Sequence, residues 1–194
     1  MEDKGFSLVE LLIALLLGAM LVTMAISFYV SSVSLSAKNL KYSRLRADLQ
    51  SIVLFIEMDI RRAGYGGSEF MVASGAGKTI DTANNNCIVY SYKHSSAKNE
   101  NKMGFRLSPE KDAVQFGTGV DPHAINCYSS GYWQAISDNK FIKITQLDFT
   151  ESEVSNGLTT MRSVKIDITG ELLAASEIKH SLSTKIQVRN LEFN

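Results

Sequence analysis

Hydrophobic and polar positions divide this chain into two unlike parts. Residues 11–37 carry no charged side chain. A helix crosses a bilayer core with about 20 residues, so this run is long enough to span one. As far as Phe28 it is apolar or small on every face, whereas a helix on a soluble core would show charge on its outer side. From Ser31 it turns serine-rich, with Ser32, Ser34 and Ser36 following, which reads as the exit from the membrane. Beyond Ala37 the helical spacing continues but becomes one-sided. Leu45, Leu49, Ile52, Val53, Ile56 and Ile60 fall on one stripe, with Lys41, Arg44, Arg46, Asp48, Glu57 and Asp59 mostly off it. Arg61 and Arg62 stand where cations favour a helix C-terminus, and Gly64, Gly66 and Gly67 stop it. The pattern predicts one helix over residues 6–63, about 85 Å long at 1.5 Å per residue. No proline interrupts it, and Gly18 is its weakest point.

After Ser68 the period shortens to that of strands and turns. Strands are predicted at 87–92, 103–107, 113–116, 141–149, 163–169 and 182–188. The last two alternate cleanly, as Val164, Ile166, Ile168 and then Leu182, Ile186, Val188. That is a half-buried antiparallel sheet with one face on a core, and the apolar stripe of the long helix is the cover it needs. The fold class is therefore α+β: a long N-terminal helix, its second half packed on an antiparallel sheet.

Charge changes the picture little. Lys+Arg total 20 and Asp+Glu 20, so nothing draws the whole chain to nucleic acid or anionic lipid, and no nucleic-acid partner is expected. The only two cysteines, Cys87 and Cys127, both follow the apolar run. An even count in an exported domain suggests a disulfide; in a cytosolic domain the same pair would be buried thiols.

The N-terminus decides between these compartments. It reads Met1-Glu2-Asp3-Lys4-Gly5-Phe6-Ser7-Leu8-Val9-Glu10-Leu11. The charged part is too short, and the apolar part too long, for a secretory signal peptide, and no A-x-A site follows. Glu10 sits just inside the apolar run. Near the middle of a spanning helix an acid costs about 2.5–3.5 kcal/mol, and less near an end, so it marks a functional position. The segment from Lys4 to Glu10 resembles the prepilin cleavage and methylation motif of type IV pilins and type II secretion pseudopilins. The resemblance implies cutting between Gly5 and Phe6 by a membrane prepilin peptidase and methylation of the new Phe6 amine. It also implies a meeting of Glu10 with the amine of a neighbouring subunit during assembly. Gly5 offers no side chain to obstruct a protease gripping extended backbone, and pairing in low dielectric would relieve both charges and set subunit register. Lys38, Lys41, Arg44 and Arg46 after the run would by a simple positive-inside count hold the C-terminal part in the cytosol. The motif and the cysteines point to the other side, and so to a disulfide.

The resemblance implies a leader at 1–5, a transmembrane assembly helix at 6–37 and a periplasmic or extracellular head at 38–194. It is closest to PilW-type minor pilins, on Asp59-Ile60-Arg61-Arg62-Ala63-Gly64-Tyr65, Cys87-Ile88-Val89-Tyr90-Ser91-Tyr92, Gly104-Phe105-Arg106-Leu107 and Val188-Arg189-Asn190. A J-type pseudopilin is the near alternative, and a membrane-anchored adhesin the other. The expected partners are major and other minor pilins, the peptidase and the inner membrane, with later passage into an extracellular pilus.

No catalytic constellation, cofactor or metal site is expected. His94, His123 and His180 form no H-E-x-x-H pattern, and two cysteines without a histidine pair do not make a zinc site. Asp121-Pro122-His123 reads as a turn. Residues 81–86, Asp-Thr-Ala-Asn-Asn-Asn, offer oxygens but lack EF-hand spacing, and a solvated loop is the better reading. Tyr128, Tyr132 and Trp133 cluster after Cys127; packing beneath the loop is favoured over partner contact.

Overall fold

A computed structural model describes residues 5, 7–72, 77–94, 102–110, 112–120, 127 and 130–193. Helix α1 spans Leu8–Ile60, 53 residues that run through Gly18 without a break. The chain forms two compact units, Met1–Lys41 and Tyr42–Asn194, and α1 contributes to both. In the first unit every described side chain from Ser7 to Lys41 is exposed. Nothing in this unit's own fold covers its leucines, so their solvent must be supplied from outside.

In the second unit the predicted stripe is the buried one: Leu45, Leu49, Ile52, Val53, Ile56 and Ile60 all lie in the core. Two antiparallel sheets pack on it, where the alternation of the last strands had predicted one. β1 (Ile80–Asn84), β2 (Cys87–Ser91), β3 (Lys102–Leu107), β4 (Val114–Thr118) and β5 (Tyr132–Ala135) form the first, in that order. β6 (Ile142–Ser155), β7 (Thr159–Leu172) and β8 (Ala175–Gln187) form the second, and β9 (Glu192–Phe193) adds to β7. The helix stripe, Ile88, Tyr90 and Phe105 of the first sheet, and Leu147, Phe149, Val164 and Ile166 of the second share one core.

The helix ends at Ile60, three residues before the predicted stop. Beyond it Arg62 N–H bonds Asp59 O at 2.9 Å and Ala63 N–H bonds Ile60 O at 3.1 Å, the tighter turn that closes many helices. Gly64 then takes φ 77° and turns its N–H onto Ser91 O of β2 at 2.7 Å. A side chain there would meet Thr79 Cγ2 at 2.7 Å. Glycine therefore both ends the helix and admits the first sheet beside it.

β6, β7 and β8 run well beyond the predicted strands. At the hairpin end of β6 and β7 the apolar alternation fails because an ionic cluster replaces it, whereas the added residues of β8 lie at the opposite end, where Ile178 is buried. Arg162 of β7 faces Glu151 and Glu153 of β6 and Glu192 of β9. Residues 81–86, read as a loop, are β1 and a two-residue hairpin turn. Asn85 O accepts Phe149 N–H at 2.5 Å and Asn86 O accepts Leu107 N–H at 3.1 Å, so both turn carbonyls serve the fold.

Candidate functional site

Gly5, a described residue, is exposed, and a Cβ there would meet nothing within 4 Å. Phe6, the expected new N-terminus, lies outside the described residues. Glu10 stands in the first turn of α1, exposed among exposed leucines. A carboxylate in the first turn is favoured by the helix dipole, which softens but does not remove the cost of placing it in hydrocarbon. Among the described residues no cation forms an ion pair with it. α1 is long and apolar enough to cross a membrane.

Three devices hold the head. The first joins the helix end to β2. Asp59 is buried and accepts hydrogen bonds from Tyr90 Oη at 2.7 Å and Tyr92 Oη at 3.2 Å, with Arg62 Nη1 4.0 Å away. Burial, and then the Asp59 charge, pushes the Tyr90 hydroxyl well above its usual range and raises Tyr92 as well. The segment Asp59–Tyr65 and the Cys87–Tyr92 segment, read separately in the sequence, thus meet.

The second device covers the outer face of the first sheet. Cys87 of β2 is joined to Cys127, with Cα atoms 6.3 Å apart. Val72, Val89 and Val120 are buried around the bridge, and Trp133 packs against this cluster. Register places Gly104, Gly117 and Trp133 in one row across β3, β4 and β5. A Cβ on Gly117 would stand 2.6 Å from the indole, so glycine makes its seat. The Arg106 guanidinium lies 4.1 Å from the Trp133 ring centre and donates to Cys127 O at 2.6 Å. Trp133 therefore packs as predicted, while Tyr132 is 74% exposed on the edge strand and Tyr128 lies outside the described residues.

The third device is the ionic cluster at the far end of the second sheet, which sequence reading missed. Glu192 accepts Arg162 Nε at 2.7 Å, Thr79 N–H at 2.5 Å and Thr79 Oγ1 at 2.9 Å. Its sequence signal was slight: an arginine and two glutamates at inward positions of strands that otherwise alternate.

His180 of β8 meets Tyr42, whose hydroxyl lies 3.0 Å from Nδ1, and His94 is exposed beside Tyr92. Asp121, Pro122 and His123 lie outside the described residues. Among the described residues no group of three or more His, Cys, Asp or Glu side chains is placed to hold a metal.

An apolar helix opening on Gly5 and Glu10, followed by a disulfide-closed head of two antiparallel sheets, defines a type IV pilin-like protein. The chain belongs to the prepilin peptidase-dependent protein B family, whose model matches residues 38–188. The prokaryotic N-terminal methylation motif matches residues 1–26. Membership implies processing by a prepilin peptidase and a pilus context. Comparison with curated proteins and with solved structures gave no match.

Proposed function

We propose that this protein is a minor type IV pilin of the PilW type, held in the inner membrane with its head in the periplasm and then built into the filament, at or near its tip, to help start assembly. It works by association with major and other minor pilins and catalyses no reaction. The peptidase cuts between Gly5 and Phe6 and methylates the Phe6 amine. Glu10 then receives the amine of a neighbouring subunit.

The observation that carries this reading is Glu10, a carboxylate without an ion-pair partner among the described residues, on a helix whose surrounding side chains are all exposed. A buried or lipid-facing charge persists where a partner relieves it. Cutting at Gly5 creates a cation only a few residues away, and one helix cannot fold its own terminus back onto that side chain. A second subunit can supply it.

Intact mass of the membrane-extracted protein tests the first step. The expected species lacks residues 1–5 and carries one added methyl. The uncut chain, found in cells with an active prepilin peptidase, would remove the reading.

A further inference from the structure

Four cations follow the charge-free run on α1: Lys38, Lys41, Arg44 and Arg46. All four are exposed, and no acid stands on the helix between Glu10 and Asp48. At 1.5 Å per residue they occupy about 12 Å of the axis. Successive helical residues turn by about 100°, so the four side chains leave the helix in different directions, as a collar rather than a stripe.

Neighbouring acids do not cancel this collar. Asp48 and Asp138 both lie beside Arg44, at 3.9 and 3.7 Å. Lys38, Lys41 and Arg46 form no ion pair among the described residues. No acid lies within six residues of Lys38 or Lys41 along the chain. Arg44 stacks its guanidinium 3.7 Å from the Phe141 ring centre, so the start of β6 is the part of the head beside it. Counting Lys140, Lys143 and Lys179 of that part against Asp48, Asp112, Asp138, Glu171 and Glu177, the cations still exceed the acids.

Helix length says what the collar meets. In a helix the charge-free residues 11–37 extend about 40 Å. A bilayer with its headgroup layers is about 40–45 Å thick. Crossing therefore uses up the uncharged residues, and Lys38 emerges where the headgroups end, with Lys41 about one turn further. Both stand within about 8 Å of that surface, one Debye length at physiological ionic strength. Their long stems let the ammonium groups reach back toward it. The proposed orientation adds a reason, and this point alone rests on the proposed function. Cations beside the exit oppose export. A collar that has crossed with the head carries that cost, which a use on the far side offsets.

We infer that Lys38 and Lys41, with Arg46 behind them, bind the headgroups of anionic phospholipid at the face from which the head emerges. The contact fixes the depth of the helix until assembly draws the subunit out. It is separate from the Glu10 pairing, which lies at the opposite end of the charge-free run.

The test reconstitutes the full chain in vesicles of phosphatidylcholine and phosphatidylglycerol, with a spin-labelled lipid of each headgroup reporting which one the protein holds. The phosphatidylglycerol label should associate about fivefold more strongly, the factor that about 1 kcal/mol for one lysine at the surface sets. In 1 M salt, where the Debye length is about 3 Å, the preference should fall toward unity. Lys38→Gln with Lys41→Gln should abolish it, and Lys38→Arg with Lys41→Arg should keep it. Lys4→Gln, before the helix, should leave it unchanged. Far-ultraviolet dichroism should show the same helix content throughout. The vesicles contain no other subunit and no peptidase, so failure of the proposed function leaves this result readable. Equal association of both lipids with the parent, a preference that survives the glutamine pair, or one that is lost with Lys4 overturns the inference.

Discussion

Asp59 shows what one residue contributes. Its side chain occupies a helix position that should be apolar, and it is tolerable there because two tyrosine hydroxyls and a nearby guanidinium satisfy it. The consequence appears at high pH. Tyr90 and Tyr92 have hydroxyl pKa values raised in the fold, chiefly by burial and then by Asp59. Folding therefore favours their neutral forms. That contribution is complete below the ordinary tyrosine value of about 10, and it is lost as pH rises through the folded values. Ultraviolet difference titration should show Tyr90 and Tyr92 ionising late, together with unfolding. Asp59→Asn should bring both down toward the ordinary range. If Tyr90 and Tyr92 ionise near the ordinary value of about 10 while the head stays folded, the helix-to-strand link is not as described. Arg162 is the counterpart in the second sheet: a guanidinium 8% exposed in its side chain, set among three carboxylates. Such a cluster aligns strands well, but its net stabilisation is modest because desolvation offsets attraction.

Among the elements, the disulfide and the strands it covers act together. The bridge spans a separation of 40 residues, and closing such a loop restrains the unfolded chain by roughly 4 kcal/mol in the chain-entropy model. Cys127→Ser paired with Cys87→Ser should lower the melting temperature of the head by about 10 °C, taking 2–4 °C per kcal/mol for a domain of this size. Trp133, the single tryptophan, reports the same event locally, since it packs against the buried cluster around the bridge. Its emission should shift to longer wavelength on reduction while the helix content holds. Two labelled thiols in the unreduced protein would contradict the bridge. Strand lengths carry a second lesson. β7 spans 14 residues, yet apolar alternation marks only 163–169, because a strand can bury ion pairs as well as leucines once the partners arrive from β6 and β9.

For the whole molecule, α1 belongs to two environments at once. From Tyr42 onward one stripe is buried in the head, and Leu54 and Met58 on its other side remain 57% and 58% exposed. From Ser7 to Lys41 every side chain is exposed. The apolar half of the helix therefore needs a cover from outside its own fold, which the proposed function assigns to lipid and neighbouring subunits. Glu10→Leu separates those two demands. The variant should insert in the membrane at least as well as the parent and be cut at Gly5, with the head folded as before. Crosslinks between the membrane helices of neighbouring subunits, and filament number, should fall. Filaments formed normally by the leucine variant would remove the role assigned to Glu10, while a simple anchor predicts that result. Glu10→Asp should lie between, with the charge kept and its reach shortened.

By itself the sequence determined the long helix, its change from all-round apolar to one-sided, the core stripe from Leu45 to Ile60, and the type IV pilin-like class. These are local or periodic features, so each residue's immediate neighbours along the chain are enough to reveal them. The tertiary structure decided the rest. It split the strands into two sheets, joined Asp59 to Tyr90 and Tyr92, seated Trp133 on Gly104 and Gly117, and drew Glu192 to Arg162 and Thr79. Each of these joins residues from separate elements, with sequence separations reaching 113 between Thr79 and Glu192. A buried charge or a glycine seat acquires its meaning only from the partner opposite it, and no periodicity along the chain records which partner that is.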